Sequence, residues 1–533
     1  LLHQCLHDLF QSRLLVVDHR RIPHDRLFQH GRQKLGQLVL YSLDTNEITP
    51  ETEAFMREYC IGNVIHFGNN VTDFEGAKAL NAQLRDLIKE SCAGVEPFIS
   101  IDHEGGRVFR FSQDFTWFPS HLSLSAADDP SVTEAVGRAM GKELRAAGFN
   151  LNFAPVVDVN SNIGNVVIGV RSFGDNPKSA SIHGAAMSRG MQDAGVMACL
   201  KHFPGHGDTT QDSHYFLPTV NKTMEELRDT ELKPYADIFP QGVVDSIMTT
   251  HILFPQIEKE KVPATMSPTI LQGVLRDELK FDGVVVTDGM HMLAIKDHYG
   301  VANGCVMAIN AGADLLCIGT GGSGVQESQK ECLDTLYEAA LSGKLSMERV
   351  DAAVERILRA KAKFGAEPTA TPDFAEHAAL NAKACRMAIT RLTEGELTGK
   401  VLYASAPVKE LAFGLTHADP RKLTFGQMAN IYTGNPYTTL DKLEEAGEYD
   451  TLVIGVQGFN SESIEIEAGR RAMAAGKKVA YVLCAAPYAA KYLPEGATVV
   501  CSYTMTLEAV AAAIDVLSGK TAATGKMPVV LPK

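Results

Sequence analysis

Several features are scarce or missing in this chain of 533 residues, and each narrows what it can be. No apolar run approaches the roughly 18 residues that a membrane-spanning helix needs, so no membrane partner is expected. No basic stripe or aromatic-interleaved basic patch follows the first thirty residues. Asp plus Glu outnumber Lys plus Arg 64 to 50, a formal charge of −14 that disfavours nucleic acid as a partner. The 10 cysteines include no C-x-x-C pair, and several, such as Cys199 and Cys317, sit inside apolar runs. They read as reduced core thiols, which favours a reducing compartment and hence the cytoplasm. There is no low-complexity tract and no internal repeat with a period of about 20 to 50 residues. Residues 1–30, rich in His, Arg and Leu, lack a continuous apolar segment followed by a small-residue cleavage site. They read as an irregular N-terminal extension rather than a signal peptide.

The composition, 45% hydrophobic and 21% charged, is that of an ordinary globular protein, and the length favours two or three domains. From Gly36 onward, short apolar runs alternate with helix-patterned segments, the pattern of βα units around a parallel sheet. Eight such runs occur: Gln37–Ser42, Gly62–Phe67, Pro97–Ile101, Phe149–Ala154, Val196–Leu200, Asp245–Thr250, Gly283–Thr287 and Ala313–Gly319. Between them lie helical segments such as Ser131–Ala147, Thr223–Leu232 and Ser267–Leu279, the last with Ser267 as N-cap and Pro268 at the first helical position. This predicts an α/β fold beginning with a (β/α)8 TIM barrel that ends with the helix Ser346–Phe364. A Pro-containing linker and a bridging helix, Phe374–Thr390, lead to further strands at Lys400–Ala404, Thr451–Val456, Lys478–Cys484 and Thr498–Tyr503. The expected organisation is an extension at 1–30, a barrel at 31–365, a linker and bridging helix at 366–390, and a smaller α/β sandwich-type domain at 391–533.

In a barrel of this kind, reacting groups lie at the C-terminal ends of strands. Polar clusters fall there: Asp102-His-Glu-Gly-Gly-Arg107-Val-Phe-Arg110 after strand three, Asp158 after strand four, Lys201-His202 after strand five, His251 after strand six and Asp288-Gly-Met-His291 after strand seven. The densest stretch, Lys201 to Pro218, carries three histidines and two aspartates among Gly and Pro pivots. Within it, Asp212-Ser-His214 can bring a carboxylate to one imidazole nitrogen and leave the other for proton transfer. His202, His206, His214 and Asp212 include zinc-type ligands, but no H-E-x-x-H or comparable spacing exists, and Lys201 opposes a cation. No metal and no cofactor is therefore expected. Plainer readings apply elsewhere: Asp158 and Asp314 as helix caps, Arg171 tying down a loop by pairing with Asp175, His251 as a hydrogen-bonded core histidine, and Gly319-Thr-Gly-Gly322 as a βα turn rather than a phosphate cradle.

Taken together, Lys-His-Phe-Pro-Gly-His-Gly-Asp followed by Asp-Ser-His, Ile-Asp-His-Glu-Gly-Gly-Arg-Val, Asn-Phe-Ala-Pro-Val-Val-Asp-Val and Val-Val-Thr-Asp-Gly-Met resemble the family 3 glycoside hydrolases. The branch resembled is that of the β-N-acetylglucosaminidases that include bacterial peptidoglycan-recycling enzymes. The resemblance is close over about residues 31–365, and beyond them it extends only to the longer two-domain members. It implies a retaining, exo-acting enzyme that removes terminal β-linked N-acetylglucosamine from a small carbohydrate. Asp288 would be the nucleophile, His214 oriented by Asp212 the general acid/base, and Asp102, Arg110, Arg171, Lys201 and His202 the grip on the −1 sugar. Where relatives usually carry a second Asp after the nucleophile, this chain reads Asp288-Gly-Met-His-Met, a departure at that wall. A neutral imidazole in place of a second carboxylate would not repel phosphate, so a phosphorylase is the alternative, along with a broader β-glucosidase. A non-catalytic carbohydrate-binding protein is disfavoured, because binding alone needs no Asp212–His214 pair. Either a monomer or a homodimer is compatible with the sequence.

Overall fold

The structure, a computed structural model, describes residues 31–71, 73–111, 113–319, 325–366, 371–407, 423–458 and 463–532. The extension at 1–30, part of the linker and most of the Gly319–Gly322 turn lie outside the described residues.

Each of the eight apolar runs holds a strand: β1 (Val39–Leu40), β2 (Asn63–His66), β3 (Phe98–Ile101), β4 (Leu151–Asn152), β5 (Met197–Phe203), β6 (Ser246–Thr249), β7 (Val284–Val286) and β8 (Leu316–Cys317). Every residue in them is buried, which is why they appear in the sequence as continuous rather than alternating apolar runs. Strands β2 to β7 form a parallel sheet in sequence order, and β1 pairs in parallel with β8. Parallel bridges Tyr41↔Val64 and Val286↔Leu315 connect this pair to each edge of the larger sheet.

The helices follow their capping chemistry. Ser346 accepts from Arg349 N at 3.3 Å and starts Met347–Phe364. The helix expected from Ser131 begins at Pro130, because Asp129 accepts from Ser131 N at 2.9 Å. Thr223 caps a helix that ends at Asp229, and a separate helix, Lys233–Ile238, follows, so the segment Thr223–Leu232 is not one element. Ser267 Oγ does accept from Ile270 N, at 3.1 Å, but Thr269–Glu278 winds as a π-helix.

The second sheet has the order β11-β10-β12-β13-β14-β9, with β9 (Thr390–Thr393), β10 (Val401–Ser405), β11 (Tyr437–Thr439), β12 (Thr451–Val456), β13 (Lys478–Leu483) and β14 (Thr498–Cys501). All of its pairings are parallel except that of β9 with β14. Two of these strands go beyond the four expected. Both are edges with little burial, and β9 takes Thr390, the last residue of the expected bridging helix, which stops at Ala388. One apolar cluster on this sheet includes Leu122 and Ala126 from the helix His121–Ala126 and Ala127 just after it, so one face of the second sheet packs against the first half of the chain. The cluster on its other face includes Cys385 and Ile389, contributed by and just after the bridging helix Phe374–Ala388. Nine cysteines among the described residues are free thiols. Among the described residues, no helix is long and apolar enough to cross a membrane.

Candidate active site

Parallel strands direct their C-terminal ends the same way, and an ionic chain spans those of β3, β4 and β5. Asp102 follows β3 directly and accepts from Arg110 Nη2 at 3.2 Å and from Lys201 Nζ at 2.8 Å. Lys201 lies inside β5, which runs on to Phe203 rather than ending at Leu200, and it is only 2% exposed. Its ammonium also meets Glu104 Oε1 at 2.7 Å. Glu104 in turn receives a two-pronged pair from Arg171, Nε to Oε2 and Nη2 to Oε1, each at 2.8 Å. Arg171 therefore does not pair with Asp175, whose carboxylate accepts instead from Val530 N at 2.6 Å. A charge buried without a partner would be costly, and here three cations and two carboxylates compensate one another. Desolvation pushes the Asp102 and Glu104 carboxyls up, but the neighbouring cations outweigh it and hold both below their usual range. Desolvation likewise opposes the charged form of Lys201, and Asp102 and Glu104 outweigh it and raise its pKa.

Glu104 belongs to no expected role, although it lies inside the Asp102-His-Glu motif. The signal available was that Lys201 and Arg171 both needed a buried counter-charge. Its loop depends on Gly106, whose φ is +53° and where an added Cβ would stand 2.7 Å from Ser120 Cβ.

Behind Lys201, Asp158 acts as a buried acceptor rather than a helix cap. It receives His202 Nδ1 at 2.7 Å, His202 N at 3.2 Å and His206 N at 2.7 Å. Both ring nitrogens of His206 are engaged, with Thr209 Oγ1 at 2.9 Å and Ser213 Oγ at 3.0 Å, and burial pushes its pKa down to about 4. The turn is tight enough that a side chain at Gly207 would overlap the carbonyl of Val159. His251 is the core histidine expected, bonded to Thr265 Oγ1 at 2.9 Å and Gly289 O at 3.1 Å. Asp314 caps no helix either. It precedes β8, at the opposite end of the strands, and pairs with Arg276, Arg349 and Arg356.

Asp288 stands just beyond β7 and accepts from Gly289 N at 2.7 Å. Burial alone would raise its pKa, but the charges of His202, His251 and His214, with that N–H, hold it at about 2. In the neighbouring loop, His214 Nδ1 lies 2.7 Å from Asp212 Oδ1, which also accepts from His214 N at 2.9 Å. The carbonyl of Asp212 takes the amides of Tyr215 and Phe216 in a close turn, and Leu293 N donates to His214 O at 3.2 Å, fastening the loop to the segment after β7. Asp212 is buried, whereas the His214 side chain is 49% exposed. Desolvation depresses the imidazole, but the Asp212 hydrogen bond and the charges of Asp288 and Asp212 raise its pKa overall. With Nδ1 donating to the carboxylate, Nε2 is the nitrogen placed to exchange a proton. Among the described residues, no group of three or more His, Cys, Asp or Glu is placed to hold a metal ion.

All of these site side chains, from Asp102 to Asp288, lie within residues 31–360, which match the family described as glycosyl hydrolase family 3 N terminal domain. The chain belongs to glycosyl hydrolase family 3. It is similar to the beta-hexosaminidase A of Pseudoalteromonas piscicida, at 34% identity over 399 residues, covering 70% of this chain and 67% of that one. The beta-hexosaminidase of Tolumonas auensis is 35% identical over 286 residues, 53% of this chain and 82% of the relative. Among solved structures, a family 3 beta-N-acetylglucosaminidase from Paenibacillus sp. strain FPU-7 superposes with a TM-score of 0.86 at 35% identity, over 94% of this chain and 98% of the other. The enzyme is thus a family 3 glycoside hydrolase, and the paired groups around Asp288 and His214 are its candidate active site.

Proposed function

We propose that this family 3 hydrolase is a retaining, exo-acting β-N-acetylglucosaminidase that works through a covalent glycosyl-enzyme on Asp288. One observation carries the reading: the Asp288 carboxylate, just beyond β7, lies close enough to His214 for their charges to interact, and the His214 loop is fastened to the segment after β7 with its Nδ1 fixed by buried Asp212. The two groups have complementary tasks. Asp288 attacks the anomeric carbon as His214 Nε2–H protonates the departing aglycone oxygen; the glycosidic bond breaks and an ester forms. Neutral His214 then removes a proton from water, which attacks the same carbon and releases Asp288. Asp102, Arg110, Arg171, Lys201 and His202 hold the hydroxyls of the −1 sugar. The names of the similar proteins support a terminal N-acetylhexosamine as the sugar.

The test is a 5-fluoro β-N-acetylglucosaminide with a good leaving group, which keeps the 2-acetamido group, followed by intact-mass analysis. A stoichiometric glycosyl adduct that disappears in Asp288→Ala is the expected result. Hydrolysis without an adduct, or an adduct on another residue, would remove Asp288 from this role.

Phosphorolysis is a second reading, favoured by the identity of the acid/base group. Once deprotonated, His214 is neutral, so an anionic acceptor meets less repulsion than a carboxylate would give. Product analysis with and without phosphate separates the two, since only phosphorolysis yields the sugar 1-phosphate.

The same reading extends to the architecture. The bridges at both edges of the six-stranded sheet support closure of β1–β8 into a (β/α)8 barrel over residues 31–365. Residues 391–533 then form a second α/β domain joined through 366–390. The nine free thiols support a cytoplasmic location.

A further inference from the structure

Arg171 lies on the loop between β4 and the helix Pro177–Asp193, in the short turn Gly169–Arg171. Asn160 laces that loop together: its Oδ1 accepts from Gly169 N at 3.2 Å and its backbone N donates to Gly174 O at 2.9 Å. The other polar group of the Asn160 side chain, Nδ2, donates to the hydroxyl of Tyr488 at 3.0 Å. Tyr488 belongs to the segment Pro487–Tyr492 that follows β13 in the second sheet, and both side chains are buried.

Two further links run the same way. Gly174 packs against the carbonyl of Pro528, and Asp175 accepts from Val530 N at 2.6 Å, so the C-terminal tail closes over the far end of the loop. The carbonyl of Arg171 is bonded to His121 Nδ1, at the start of the helix His121–Ala126. That helix is held through Ser120 Oγ to Tyr503 O at 2.9 Å and Ser123 Oγ to Ser502 O at 3.1 Å. The second sheet thus reaches the backbone on both sides of Arg171, while Glu104 fixes its guanidinium.

A surface that only packs needs no hydroxyl at position 488, where Phe would fill the same space without the desolvation that a buried O–H incurs. We propose that Tyr488, acting through Asn160, is a positioning residue for Arg171, so that the second sheet sets where the guanidinium stands in the sugar site and thereby the affinity for substrate. The proposal rests on the reading of Arg171 as part of the −1 sugar grip. Sugar-gripping groups must be held to about 0.5 Å, and a supporting shell of this kind is what supplies that precision.

Tyr488→Phe keeps the ring and removes the link. Its KM for an aryl β-N-acetylglucosaminide should rise about three- to tenfold with kcat within about twofold, because the lost interaction holds ground state and transition state alike. In an Arg171→Ala background the same change should add nothing to KM. KM does not depend on the fraction of enzyme that is folded, so a loss of stability cannot imitate this result. Ser123→Ala, which removes a second link, should raise KM in the same direction. An unchanged KM in Tyr488→Phe, whatever Ser123→Ala does, or effects that multiply with Arg171→Ala, would overturn the proposal. If Arg171→Ala itself left KM and kcat unchanged, the sugar-grip reading would fail instead, and the two failures are distinct.

Discussion

The two ends of the first eight strands use the same ingredients to opposite effect. Before β8, Asp314 is fully buried and pairs with Arg276 Nη2 at 2.8 Å, Arg349, and Arg356 Nη1 at 3.3 Å. Its arginines also bond backbone carbonyls, Arg276 those of Phe281 and Gly283 and Arg349 that of Ala313. Beyond β3, β5 and β7, carboxylates and cations again compensate one another, but beside them His214 is half exposed and Asp288 carries a charge that burial opposes. Buried charge by itself therefore marks no function. What separates the ends is whether a titratable group remains that can bond something not belonging to the chain.

Mutations should divide along the same line. The largest effect is expected for Asp288→Ala, which should lower kcat/KM roughly ten-thousand-fold while the thermal midpoint hardly moves, as measured with an aryl β-N-acetylglucosaminide and by calorimetry. Asp314→Ala should do the reverse. It leaves three arginines without their shared carboxylate and should cost about 3–5 kcal/mol of stability in denaturant titrations, with KM unaltered. A large kinetic defect in Asp314→Ala with stability intact would erase the distinction between the two ends. Glu104→Gln lies between them, because this residue is both a buried ion-pair partner and the neighbour of Lys201 and Arg171, two cations proposed to grip the sugar. A loss of about 1–3 kcal/mol in stability together with a several-fold rise in KM is expected. A change in stability alone would assign Glu104 to the scaffold.

The contrast also explains what the sequence could convey. The eight strands were legible because burial on both faces turns each into an uninterrupted apolar run, whereas β9 and β11, short edge strands with polar residues, carry no such pattern. That Asp102, Lys201 and Asp288 stand at the C-terminal ends of strands, and that His214 pairs with Asp212, were legible because these residues lie in recognisable motifs. Asp158 and Asp314 look alike in sequence, each an aspartate next to the apolar residues of a strand. They differ in that one follows its strand and the other precedes it, and this places them at opposite ends of a parallel sheet. Glu104 was missed for a different reason: its part depends on Lys201 and Arg171, which only the fold brings to it.

The smallest effect tests the proposed acid/base pair most directly. Asp212 is held ionised: desolvation opposes its charge, but the hydrogen bond and charge of His214 outweigh it. Asp212→Asn would still accept the Nδ1–H bond while removing the negative charge that helps raise the His214 pKa. As the proposed general acid, His214 must be protonated to donate to the leaving oxygen, so activity should fall as pH rises through its pKa. With a lower pKa, that fall begins at lower pH. The basic limb of kcat/KM, which reports the free enzyme, should therefore move down by about one unit. The acidic side should stay flat through ordinary pH, because Asp288 titrates only near about 2. A basic limb that stays in place in Asp212→Asn would mean that His214 is not the proton donor, even if turnover had fallen; a limb displaced with only a modest loss in kcat would identify Asp212 as the residue that tunes it.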